Sequence, residues 1–399
     1  MLVKPSFYDK FFCVASKCQD NCCIGWEIDI DKETDCFYRG VDGPFREQLD
    51  QGISRQEEPH FLLKGERCFF LNGENLCDIF LNLGEEHLCE ICREHPRFYE
   101  WYEEIPGLPN RKEAGLGLCC EEAVRLLFSD QKPLTFIIEW EDEEEKIQWE
   151  REVRDPKQEE AAYLLALFSA RDRAFSLLQD RRMNLASRIR LFLMMAEDIQ
   201  DCLDVSSDMG ETAEQIRKAA DWYGDKNQVK LFLNEEEEKQ NEKREAYFHE
   251  LLLLMGELEP IHDSWTDSVA VLDKNLKESL SPHFDSEYGN RKDYEYEHLL
   301  VYFVYRYFGK SAFDGDVLSK AKLAVLTTVL VRLMDLDSLF RSGGFLGEQR
   351  MEHVRVLSKE IEYSEENLKF LEKAFWEEEI LSTESLSDAA DTLWKRNIR

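Results

Sequence analysis

Two textures of hydrophobic patterning divide the chain. From about residue 157 onward, apolar side chains recur at three- and four-residue intervals, the period of one helix face. The pattern runs through AAYLLALFSARDRAFSLL, RIRLFLMMAEDIQDCL, AYFHELLLLMGEL, HLLVYFVYRYF, AKLAVLTTVLVRLM and ENLKFLEKAFW. Breakers stand between these runs: Gly224, Pro260, the SPHFDSEYGN stretch from 281, and Gly343-Gly344. The expectation is an α-helical domain over residues 157–399, with about seven to nine helices.

Residues 1–130 read differently. Helical periods are short, and turn formers crowd together: Gly40, Gly43-Pro44, Gly52, Gly65, Gly73, Gly84, Pro96 and Pro106-Gly107. This predicts an irregular region of small helices and a few short strands. Residues 131–156 read as an acidic connection. LTFIIEWED at 134–142 has strand character, and EDEEEK at 141–146 suits a helix start or a solvated face. EEEEKQNEKRE at 235–245 reads the same way. The expected fold class is therefore mostly α: an irregular N-terminal region followed by an all-helical domain.

Charge narrows the partners. The 399 residues hold 50 Lys+Arg against 83 Asp+Glu, a net charge of −33. Such a chain repels phosphate backbones and anionic lipid, so nucleic acid and membrane surfaces are poor partners and a basic, lysine-bearing protein is a good one. The same charge serves solubility. No run approaches the ~18 apolar residues of a transmembrane span. MLVKPSFYDKFFC lacks the apolar core of a signal peptide. A cytoplasmic protein is expected.

That expectation bears on the cysteines. Eleven of the twelve fall in the first 120 residues, three of them within CQDNCC at 18–23. Disulfides are rare in the cytoplasm, which favours metal or redox chemistry for clustered thiols. Cys36 and Cys202 stand apart and read as small hydrophobes. Cys89-x2-Cys92 can turn two sulfurs toward one ion, and distant thiols can close the shell after folding. A zinc ribbon would need a second such pair. The thiolate set leaves zinc and an iron–sulfur cluster both open. His87 and His95 flank the pair and read better as neighbours than as ligands. The radical-type CxxxCxxC signature is broken, because Gly25 stands where its third cysteine would fall after Cys18 and Cys22.

CVASKCQDNCCIGWEIDIDKET, RCFFLNGENLCDIFLNLGEEHLCEICREHPRFYEW and LGLCCEEAVRLL together resemble the flagellin lysine-N-methylases of FliB type, within a wider group of cysteine-rich zinc- or iron-chelating proteins. The resemblance spans residues 8–128. It implies eight metal ligands: Cys13, Cys18, Cys22, Cys23, Cys68, Cys77, Cys92 and Cys120. Cys89 and Cys119 fall outside that pattern. It further implies a [4Fe–4S] cluster, with zinc as the alternative, S-adenosylmethionine as methyl donor, and surface lysines of flagellin as substrate.

Lysine methylation needs a neutral amine aligned with the sulfonium. Aromatic faces can hold such cations. Trp26, Tyr99, Trp101 and Tyr102 offer rings, and Asp29 and Asp31 offer carboxylates, although each fits a structural role at least as well. No glycine-rich loop marks a familiar nucleotide fold, so the donor pocket is expected to be unconventional. The alternative reading is a zinc- or iron-chelating module for metal handling or protein interaction, without methyl transfer.

Overall fold

Among the described residues of the computed structural model, ten helices of twelve or more residues lie between Glu159 and Trp394. The structure describes residues 1–18, 21–206, 208–225, 227–229, 244–261, 264–281, 292–343 and 347–394. Most of SPHFDSEYGN, residues 235–243 of the second acidic run and Gly344 lie outside the described residues. The helices outnumber the expected seven to nine because some bury small or polar side chains. Helix Met209–Trp222 packs through Thr212, Ala213, Ile216 and Ala220. Helix Thr383–Trp394 packs through Ser387, Ala389 and Ala390 beside Leu386 and Leu393. Such faces leave a weak apolar stripe.

Helix Val317–Ser342 is the axis of the large core. It is buried on every side from Val317 to Leu333. The Asp316 side chain accepts the Ser319 N–H at its start, and Gly343, at φ 67°, ends it in a left-handed turn. Its buried lysines have partners. Lys322 Nζ donates to the Phe375 carbonyl at 2.6 Å, and Lys320 Nζ pairs with Asp314 at 2.6 Å. Among the described residues, no helix is long and apolar enough to cross a membrane.

Among the described residues, the N-terminal part contributes eight strands: β1 (Leu2–Pro5), β2 (Ile53–Ser54), β3 (His60–Phe61), β4 (Leu63–Lys64), β5 (Arg67–Cys68), β6 (Arg97–Tyr102), β7 (Arg111–Leu116) and β8 (Phe136–Glu139). Four form a mixed sheet in the order β6-β7-β1-β8, with β1 parallel to β7. The strand expected in LTFIIEWED is β8, antiparallel to β1. Tyr305 locks the sheet to the helices, since its hydroxyl lies 2.9 Å from the Val3 carbonyl and 3.0 Å from that of Ala114.

Two cores differ in scale. The large one joins the long helices to Met1, Val3, Phe7, Phe11 and residues 116–128. The small one gathers Ile28, Ile30, Tyr38, Leu49, Ile53, Phe61, Phe70, Leu71 and Ile79 around Cys68 and Cys89.

Candidate metal centre

Four chain segments meet at the small core, each held by backbone contacts. The Cys22–Cys23 loop is pinned to the β4–β5 hairpin: the Cys68 N–H donates to the Cys23 carbonyl at 2.8 Å, and the Gly25 N–H to the Glu66 carbonyl at 2.8 Å. Gly25 sits at φ 94°, where a side chain would be strained. Cys77 bridges Leu71 and caps helix Asp78–Leu83. Cys89 caps helix Glu90–Glu94, which carries Cys92 one turn on.

The thiols of Cys22, Cys23, Cys68, Cys77, Cys89 and Cys92 are close enough to feel one another's charge. A hydrogen bond with Cys22, then burial, raises Cys23. Burial pushes Cys68 up to about 11, although the Phe70 N–H offsets part of this. Burial likewise raises Cys77 against the N–H groups of Ile79 and Phe80. Cys89 and Cys92 share a proton through their hydrogen bond, which lowers Cys89 and raises Cys92. A bound cation would offset the repulsion among the thiolates of this crowded set, since metal ligation deprotonates thiols outright.

A second, looser set lies beside the first. Cys120 caps helix Glu121–Leu127 and feels both Cys22 and Cys13. The Cys18 thiol lies 3.5 Å from Glu121 Oε2. Cys13 is exposed, and its sulfur accepts the Ala15 N–H at 3.4 Å. Of the eight expected ligands, five therefore sit in the tight group, while Cys13, Cys18 and Cys120 flank it. Cys89 joins the tight group although the resemblance left it out, and the Cys-x2-Cys spacing was the signal for it.

Cys119 faces away, into the seam with the helices. Its sulfur is 3.9 Å from His95 Nε2 and hydrogen bonds Tyr363. Trp26 closes this seam. Its indole N–H donates to the Cys22 carbonyl at 2.6 Å, and its ring packs on Tyr363 at 5.4 Å and His95 at 6.1 Å. A side chain at Gly117 would strike the Tyr363 hydroxyl, so glycine there permits the approach. His87 stacks on Phe37 at 4.1 Å instead.

Other candidates take structural places. Asp31 accepts the Thr34 N–H at 2.9 Å and the Glu90 N–H at 2.8 Å, tying two helix starts together. Asp29 faces His60 and Glu27 at the surface. Tyr99 and Trp101 flank the ammonium of Lys112, at 3.9 and 4.2 Å, and Tyr102 is buried against Phe168. Cys36 is not a buried hydrophobe. It is exposed on helix Lys32–Gly40, which turns Asp35 and Tyr38 inward. Cys202 is half-buried against the large core.

The model of the FliB lysine N-methylase C-terminal domain matches residues 171–388, more than half of the chain. The chain belongs to the FliB lysine N-methylase family. Similar curated proteins include a Lysine-N-methylase of Salmonella typhimurium strain LT2, 27% identical over 144 residues that cover 32% of this chain and 33% of that protein. The Flagellar biosynthetic protein FliU of Salmonella muenchen is 28% identical over 140 residues, covering 32% of this chain and 78% of FliU. The chain thus spans 33% of the length of the Lysine-N-methylases it matches. No solved structure matches. The FliB-family match lies wholly C-terminal to the gathered thiols.

Proposed function

We propose that the chain is a protein-lysine N-methyltransferase acting on surface lysines of flagellin, with S-adenosylmethionine as methyl donor and a cysteine-ligated [4Fe–4S] cluster. The observation that carries the reading is the family match over residues 171–388, joined to relatives named for lysine methylation and flagellar biosynthesis. The net charge of −33 supports docking of a lysine-bearing surface.

A set of thiolates alone suits a cluster, with zinc as the alternative. Four of the six thiols of Cys22, Cys23, Cys68, Cys77, Cys89 and Cys92 would be its ligands. When bound, the cluster cross-links four chain segments whose own core is small. The chain's remaining tasks are to dock the lysine, remove its proton and align it with the sulfonium.

The test is anaerobic purification with iron, sulfide and zinc analysis, followed by incubation with flagellin and methyl-labelled donor. Equal iron and sulfide with label on flagellin lysines is the expected result. A zinc protein that leaves flagellin unlabelled would favour the chelating module instead.

A further inference from the structure

A cavity of about 750 Å³ lies between the sheet and the helices, away from the thiols. Its size falls within the range of small-molecule sites. Strands β1, β7 and β8 supply one wall, and helices Glu143–Arg154, Glu159–Leu178 and Met209–Trp222 supply the other.

Its lining is unusual for so acidic a chain. Arg111, Arg171 and Arg217 face it, against Asp172 at the lining and Glu113 behind it. Three guanidiniums against two carboxylates leave a local excess of one positive charge. Glu113 is buried and accepts from Arg111 at 2.7 Å and from Arg171 at 2.6 and 2.7 Å. The Nε–H of buried Arg171 has no acceptor among the described residues. A buried donor left unsatisfied is costly, so a site that completes it is favoured. Aromatic faces complete the wall. Phe136 stacks on Phe175 at 4.9 Å and on Tyr305 at 4.5 Å, while Trp149 and Phe168 flank the Arg111 guanidinium at 5.3 and 4.3 Å.

We propose that this cavity binds the methyl donor, an adenine nucleoside with an aminocarboxylate tail. This rests on the methyltransferase reading above. Flat aromatic faces suit the purine, guanidiniums suit the carboxylate, and Asp172 suits the amino or sulfonium cation.

The test is calorimetric binding of S-adenosylmethionine, S-adenosylhomocysteine and ATP to the full chain, purified anaerobically. Ser169 lines the cavity from an exposed position, so Ser169→Trp fills it without disturbing the core. Ser169→Trp is expected to weaken donor binding at least about tenfold, and Asp172→Asn and Arg217→Ala roughly threefold to tenfold each. Melting temperature and iron content should stay unchanged in Ser169→Trp and Asp172→Asn. Donor binding by wild type and Ser169→Trp alike overturns the cavity assignment while leaving the methyltransferase reading intact. Absence of donor binding in wild type overturns the reading itself, and the assignment with it. ATP binding tighter than the donor, and lost in Ser169→Trp, overturns the donor assignment in favour of a nucleotide site.

Discussion

The two cores are stabilised in different ways. The helical core is built from helices of 12 to 26 residues whose buried faces interlock around Val317–Ser342. The thiol-bearing core is built from helices of 5 to 9 residues and strands of two. Elements that short bury little apolar surface, and regions of this kind commonly depend on a metal or disulfides for stability. The FliB lysine N-methylase family match covers only the first kind of region. The contrast teaches that burial alone accounts for the helical part, whereas the cysteine part has little burial of its own and, on the proposal above, would draw on a bound metal.

Removing the metal is the largest test of that contrast. Chelation, or Cys68→Ser with Cys77→Ser, is expected to open residues 22–92 to limited proteolysis while the main thermal transition persists. A single transition, lost as a whole, would abolish the distinction. Core truncation sharpens it. Phe308 and Phe70 are both fully buried, one in each core. Each change to Ala should cost about 3–5 kcal/mol. Phe308→Ala should lower the global denaturation midpoint, and Phe70→Ala should show mainly as faster exchange of amides within 22–92.

The same contrast explains what could be read from sequence. Long helices announced themselves through repeated Leu, Val and Phe, and Gly343 marked a helix end. Helices packed through Ala, Ser and Thr did not. In the cysteine part, the structural role open to Asp31 from sequence is that of a cap, and it caps its own helix. Its second bond, to Glu90, joins positions 59 apart, and no local pattern encodes it. RFYEWY is rich in aromatic residues, which favour strands, and that content is the local signal for β6. The parallel pairing of Leu2 with Lys112, and a cavity assembled from arginines and rings far apart in the chain, are products of topology alone.

A smaller test concerns Glu113, which belongs to the helical side. Burial opposes its ionisation, but Arg171 and then Arg111 outweigh this and hold it near 2, below its ordinary 4.5. Its folded value is depressed. The stability it contributes is therefore complete above about 4.5 and lost as pH falls toward about 2. The contribution is on the order of 3 kcal/mol. Denaturation of Glu113→Gln against wild type should show that gap at pH 6 and its closure in acid. A gap independent of pH would mean that packing, not charge, holds β7 to helix Glu159–Leu178.

The smallest effect is expected at Asp31, inside the cysteine part. Its carboxylate is held below the ordinary range: burial opposes this, but the N–H groups of Glu90 and Thr34 prevail. Asp31→Ala removes a helix cap and the link that sets the helix carrying Cys92, costing about 1–2 kcal/mol. Asp31→Asn keeps one acceptor oxygen and should recover part of the loss. If the cysteine core is soft until its metal binds, the cost should appear chiefly in the metal-free protein, as faster exchange of the Glu90 amide. With metal bound, Cys89 and Cys92 would hold that helix from the other side, and the effect should shrink. An equal loss with and without metal would show that the hydrogen bonds of Asp31, and not the thiols, place the Cys-x2-Cys turn.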